Sequence, residues 1–321
     1  MAPLSHAANT SSSAVYRRER TGVGRKADSL FAFIAAACGS LVLIILGSMV
    51  ISTTSTALPA FRAQGWYFLF GTNWDPNVPQ FGILTFVFGT LMTSAIALCI
   101  AVPLSLGIAL FLTELAPRRL SGVVGYGVDL LAAVPSVVYG LWGVMVLLPN
   151  FLQPISQFVS AHFGFIPIFA APASGISFFG AGVILGIMIV PIISALSREV
   201  IRAIPRDDRN AAYALGATRW EMIRGVILPG SRGGIIAAVM LGLGRALGET
   251  IAVALLIGSQ PQIVASIFKP GYSMASVIAN QFSEATPDHI RALVGVGVAL
   301  FGITILVNIV ARGLIWRTVE R

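Results

Sequence analysis

Residues 233–257 read GGIIAAVMLGLGRALGETIAVALLI, an unbroken apolar and glycine-rich stretch interrupted only by Arg245, Glu249 and Thr250. As a helix rising about 1.5 Å per residue it spans about 37 Å, enough to cross a hydrocarbon core of about 30 Å. Arg245 falls about 18 Å along it, near the bilayer midplane. A charge at that depth costs about 3 kcal/mol on insertion scales, so it marks a span with a task inside a bundle. Five other stretches have the same length and character: Leu30 to Ile51, Gly82 to Leu112, Val123 to Leu148, Ser174 to Leu196, and Ala292 to Ile315. Lipid offers no partner to an open sheet edge, so all six read as helices. The fold class is therefore all-α, a polytopic membrane protein with six transmembrane helices. The whole chain agrees, since 321 residues that are 56% apolar and 11% charged exceed what a soluble core of this size needs.

The net charge of +8 is distributed in a way that excludes a nucleic-acid partner. Arg17, Arg18, Arg20, Arg25 and Lys26 precede the first span, Arg118 and Arg119 follow the second, and Arg198, Arg202, Arg206, Arg209, Arg219, Arg224 and Arg232 lie between the fourth and fifth. Arg312, Arg317 and Arg321 close the chain, whereas the alternate loops hold only Arg62, Lys269 and Arg291. The positive-inside rule then puts both termini of this multi-pass membrane protein in the cytoplasm. Residues 1–28, rich in Ser, Ala and Arg, read as a disordered cytoplasmic tail, and 29–321 as the six-helix transmembrane domain, with the cytoplasmic loop 198–232 inside it. The first apolar run is longer than a signal-peptide core and reads as a retained helix. Cys38 and Cys99 fall within spans and behave as small apolar residues.

The outer loop from Ser52 to Phe81 gathers Trp66, Tyr67, Phe68 and Trp74 around Asn73, Asp75 and Pro76, a composition that suits an aromatic belt better than a protein contact. The other outer loops, Pro149 to Ala173 and Gln260 to Ile290, have room for short helices. The cytoplasmic loop 198–232 is too long and too patterned to be a simple link. Ala211, Ala212, Leu215, Trp220, Met222, Ile223, Ile227 and Leu228 supply apolar positions for one or two short helices. Pro205 suits the start of the first, Asp207 and Asp208 its N-terminal turn, and Gly216 the turn that follows.

Arg245 and Glu249 are four residues apart, so on one continuous helix they share a face and can pair. An arriving oxyanion can then compete for the guanidinium's fork of donors. A permanent ion pair bracing two helices fits the same spacing. Gly244 and Gly248 form a small-xxx-small pattern that allows close helix approach or room for a ligand. Pro103 and Pro135 interrupt the second and third spans and favour bends there. Ser136 and Tyr139 beside Pro135 are candidate hydrogen-bond partners of an oxyanion, although Tyr139 equally suits a backbone group. Asp129 can meet Arg245, meet a loop arginine, or cap.

No phosphate-binding loop of the G-x-x-x-x-G-K-[ST] type occurs, so this chain has no ATP cradle of its own and any energy input must come from a partner. His6, His162 and His289 are scattered and form no metal set, and no catalytic triad pattern appears. A transport subunit without cofactor or metal of its own is the expectation.

The run N-A-A-Y-A-L-G-A at Asn210 to Ala217, followed by V-I-L-P at Val226 to Pro229, resembles the coupling loop of binding-protein-dependent ABC importer permeases. Asn210 stands where that family usually has glutamate, and Val226 where it usually has isoleucine. By this resemblance Asn210, Ala211, Ala212, Gly216, Leu228 and Pro229 belong to the surface that meets the ATPase. R-A-L-G-E-T at Arg245 to Thr250, V-P-S-V-V-Y-G-L-W-G at Val134 to Gly143 and F-L-F-G-T-N-W-D-P at Phe68 to Pro76 resemble the phosphate-specific permeases of the Pst system, PstC type. The resemblance implies a type I-like importer architecture and half of a heterodimeric pore for inorganic phosphate. It also implies four kinds of neighbour: a PstA-type permease, a homodimer of PstB-type ATPases that holds ATP and Mg, a PstS-type external binding protein, and membrane lipid. The substrate path is then expected near Arg245, Glu249, Ser136 and Tyr139. The same machine for sulfate or molybdate, an ion-coupled secondary transporter, and a signalling component are the alternatives.

Overall fold

All six apolar stretches are helices, although several begin and end elsewhere than expected. The computed structural model describes residues 22–170 and 175–319 and divides into two units, residues 1–52 and 53–321. Helix α1 (Gly22–Gln64) opens in the first unit, where residues 28–52 are exposed on every side and strongly apolar, as suits a helix bathed in lipid. Residues 1–21, which carry most of the expected tail, lie outside the described residues, and the helix begins at Gly22.

In the second unit, α2 (Tyr67–Phe70) and a two-residue antiparallel pairing of β1 (Trp74–Asp75) with β2 (Gln80–Phe81) lead into α3 (Leu84–Leu115). Then come α4 (Arg118–Ala132), α5 (Ser136–Phe163), α6 (Phe178–Arg202), α7 (Arg206–Ala214), α8 (Arg219–Leu247), α9 (Ile251–Ile257), α10 (Met274–Gln281) and α11 (Pro287–Val319). The tiny ribbon turns through Asp75, whose carboxylate accepts from the Asn77 amide at 2.9 Å, with Pro76 and Pro79 on either side.

Helix α6 is the centre of this unit, with 67% of its apolar window buried. Between helices in lipid there is no hydrophobic drive, so close approach through small residues has to serve. Gly182 sits against Ile96 and the Thr93 carbonyl, and Gly186 against Ala97, so α3 lies directly on α6. Ser105 adds a hydrogen bond from its hydroxyl to the Val190 carbonyl at 3.2 Å. Pro103 lies inside α3, which continues past it as helix.

A second core gathers around Trp74, which contacts Phe81, Phe86 and His289 and donates from its indole to Gln281 Oε1 at 2.9 Å. Trp74 and Phe68 are 8% and 0% exposed, so they are core residues rather than belt residues, whereas Trp66 is exposed. Composition shows that a loop is aromatic but not which rings turn inward. Gly89 belongs to the same packing, because a Cβ on it would lie 2.0 Å from the Tyr272 carbonyl oxygen. Gly89→Ala is expected to cost about 2 kcal/mol by overpacking, read as a lower midpoint in thermal unfolding of the purified protein in detergent.

Two spans are discontinuous. The stretch Val123 to Leu148, read as one span, splits at Ala133–Pro135 into α4 and α5, and the membrane-length helix runs from Ser136 to Phe163, into the expected outer loop. Pro135 has no N–H to donate and disfavours helix in the residue before it, so the break is local chemistry. The stretch 233–257 divides likewise, with α8 ending at Leu247 and α9 starting at Ile251.

Candidate functional site

Loop 198–232 folds as the sequence pattern requires, into two helical pieces joined by a tight turn. Helix α7 starts directly after Pro205 with Asp207 and Asp208 in its first turn, where carboxylates complement the helix dipole. It ends at Gly216, whose φ of +83° is left-handed and favours glycine. The Gly216 amide donates to the Tyr213 carbonyl at 3.0 Å and the Ala217 amide to the Ala212 carbonyl at 3.1 Å, the paired bonds of a Schellman cap. Thr218 then opens α8 with a capping box: its hydroxyl accepts from the Glu221 amide, and the Glu221 carboxylate accepts from the Thr218 amide at 2.8 Å. Leu228 and Pro229 follow a wider π turn at Ile223–Ile227, and α8 continues past them without breaking.

The two sides of this loop differ. Met222, Ile223 and Ile227 are buried with Ala109 of α3 and Ile201 of α6, and Ala212 and Leu228 pack on that cluster. Facing away are Asn210, Ala211, Tyr213, Gly216 and Trp220, together with Leu215, which is 89% exposed. An apolar, protruding turn on a rigid double cap is a shape that seats in a partner's cleft. The sequence reading missed Arg209, whose guanidinium donates to Glu114 at 3.0 Å and to the Ile201 carbonyl at 2.6 Å. Arg209 thereby ties α7 to the ends of both α3 and α6. A lone acid closing an apolar span at Glu114 was the available signal. Asp129 pairs with Arg198, the loop-arginine outcome among the three considered.

Arg245 and Glu249 are not partners on one helix face. Arg245 occupies the last turn of α8, while Gly248 has a φ of −94° and ψ of 0°, outside the regular helix, and leaves Glu249 and Thr250 in the link to α9. Among the described residues neither Arg245 nor Glu249 has an ion-pair partner. Arg245 is exposed at the edge of a cavity of about 530 Å³, and Glu249 is half-buried. The expected i, i+4 geometry fails because Gly248 ends the helix between them.

Tyr139 is buried, and its hydroxyl donates to the Leu131 carbonyl at 2.9 Å. Leu131 lies four residues before Pro135, so this is the carbonyl that a helical N–H at position 135 would have taken. Tyr139 staples the break it follows, and Ser136, half-buried, is the first residue beyond that break. The two breaks are neighbours: a Cβ on Gly140 would lie 2.9 Å from Ala252 Cα, joining the start of α5 to the start of α9. The structure thus gathers Ser136, Tyr139, Arg245 and Glu249 around two adjacent interruptions, and non-helical backbone at membrane depth persists only against protein or a wet cavity. Tyr139→Phe is expected to destabilise the protein by about 1 kcal/mol, one net hydrogen bond, with uptake reduced less than threefold in the assembled transporter, the latter following from about half of that loss reaching the transport barrier.

A family model described as "Binding-protein-dependent transport system inner membrane component" matches residues 101–317. The phosphate transport system permease protein PstC of Xylella fastidiosa is 42% identical over 296 residues, covering 91% of each chain. The PstC protein of Haemophilus influenzae is 43% identical over 289 residues, 89% of this chain and 92% of its own. The chain belongs to the PstC permease family. PstC 2 of Mycobacterium tuberculosis is similar to the same degree, 43% over 301 residues, 90% of this chain and 92% of the relative. The PstC-type fold is also that of solved ABC permeases. A bacterial ABC transporter involved in the import of the acidic polysaccharide alginate superimposes with a TM-score of 0.59 at 19% identity, over 93% of this chain and 99% of that one. The inward-facing MetNI methionine transporter gives 0.53 at 17%, over 74% and 97%. This PstC-family chain is thus a multi-pass inner-membrane permease subunit.

Proposed function

We propose that the chain imports inorganic phosphate as one of two unlike permease subunits of an ATP-driven transporter. The observation that carries the proposal is the unpaired Arg245 beside two adjacent helix breaks, in a chain whose relatives are phosphate transport permeases. A PstA-type subunit completes the pore, two PstB-type ATPases with ATP and Mg meet the Leu215 turn from the cytoplasm, and a PstS-type protein delivers phosphate from outside. Both termini lie in the cytoplasm on this reading, as the basic flanks favour. Ser136 and Tyr139 shape the break, Arg245 supplies the fixed positive charge, and Glu249 in the link supplies a counter-charge that is free to approach when the anion leaves. An ion-coupled relay through an Arg245–Glu249 pair loses its support, since the two are not bonded to each other. A lone guanidinium binds any tetrahedral oxyanion, so the test has to include sulfate and molybdate. Proteoliposomes holding both permeases, the ATPase and the binding protein should accumulate labelled phosphate when ATP is enclosed on the ATPase side, and neither other anion should compete. Uptake that persists without ATPase subunits would defeat the proposal.

A further inference from the structure

The cavity at Arg245 has a second charged wall. Between α8 and α11 it is lined by Met240, Leu241 and Arg245 on one side and by Asn308 and Arg312 on the other, with Ile192 of α6 at its floor. Among the described residues no Asp or Glu lines it and Arg312 has no ion-pair partner. Asn308 and Arg312 are four residues apart on α11 and so share one face. The Asn308 amide nitrogen donates to the Thr304 carbonyl at 2.9 Å, which fixes the side chain and leaves a second N–H for a ligand. Ala237 also lines the cavity, eight residues before Arg245, so the space extends along about 12 Å of α8.

Two guanidiniums without acids in one concavity form an oxyanion site by charge, and the fork of each matches a tetrahedral oxyanion. A solvated flank would explain Arg312 alone; it does not explain why Arg312 and Arg245 open onto the same space. Resting on the reading of the chain as a phosphate permease, we propose that Arg312, with Asn308, is a second oxyanion-binding residue of the cavity that begins at Arg245. Arg245 and Arg312 line one cavity, so a phosphate leaving the first can reach the second within it. The same chemistry would hold the phosphate of a lipid headgroup, and the two sources are separable.

The test uses the complete transporter in vesicles of a galactolipid, which carries no phosphate, and of the galactolipid with an anionic phospholipid, and measures phosphate moved per ATP hydrolysed. Arg312→Gln is expected to lower that ratio about tenfold in both vesicle types, as loss of a charge-assisted hydrogen bond predicts, with ATP hydrolysis still stimulated by the loaded binding protein. Arg312→Lys, which keeps the charge without the fork, is expected to recover most of it. A deficit confined to anionic vesicles assigns the site to a lipid headgroup and overturns the cargo role. An active wild type with an unchanged Arg312→Gln ratio overturns the proposal outright. Failure of the wild type to move phosphate defeats the underlying functional reading instead. If Arg312→Gln does not assemble, Asn308→Leu carries the test: a loss of about threefold, as for one neutral hydrogen bond, supports the site, and an unchanged ratio overturns it.

Discussion

Arg245→Gln is expected to reduce phosphate uptake by about a hundredfold in the assembled transporter, the loss of two charge-assisted hydrogen bonds to the anion. The glutamine keeps a polar end of shorter reach and lowers the cost of inserting this span by up to about 3 kcal/mol. Poor insertion therefore cannot account for a loss of transport in this variant. Hydrolysis of ATP stimulated by the loaded binding protein should continue, because Arg245 lies in the last turn of α8, far along the chain from the exposed turn at Leu215 and Gly216. Uptake and ATPase assays on the same vesicles decide the matter: uptake within threefold of wild type would reduce Arg245 to a structural residue.

The second large effect is expected at Arg209. Arg209→Met removes the partner of Glu114, whose side chain is 8% exposed, and breaking such a buried pair costs about 3 kcal/mol, chiefly from the charge left behind. The bond to the Ile201 carbonyl is lost as well. Thermal unfolding of the purified protein should show the drop, and Arg209→Met combined with Glu114→Gln should regain much of it because the orphan charge is gone. Since Arg209 is the ionic tie between α7 and the bundle, the single variant should also hydrolyse more ATP per phosphate moved. Normal stability with normal coupling would show that the tie is dispensable.

The six spans were legible because apolar length is a strong, additive signal, and loop 198–232 because Pro205, Asp207, Asp208 and Gly216 are local devices that act wherever they occur, whereas the Thr218–Glu221 box that opens α8 went unread. The breaks were only half legible. Pro135 announces its own, but Gly248 does not, since glycine in a membrane span is as often a packing residue as a terminus. The proposed Arg245–Glu249 pair failed for that reason alone. Arg209 with Glu114, and Arg245 with Arg312, join positions 95 and 67 residues apart, and no periodicity within one segment carries such information. Trp74 shows the converse, a belt residue by composition that turns inward because Gln281 and His289 wait for it.

The exposure of Arg245 has a consequence for the life of the chain in the cell. In a solitary copy this cation is exposed and has no ion-pair partner among the described residues, and in hydrocarbon such a charge costs about 3 kcal/mol, or about a hundredfold in occupancy. Only another polypeptide or a water-filled seam can shelter it. An unassembled copy therefore carries an energetic handicap that burial of this side chain removes.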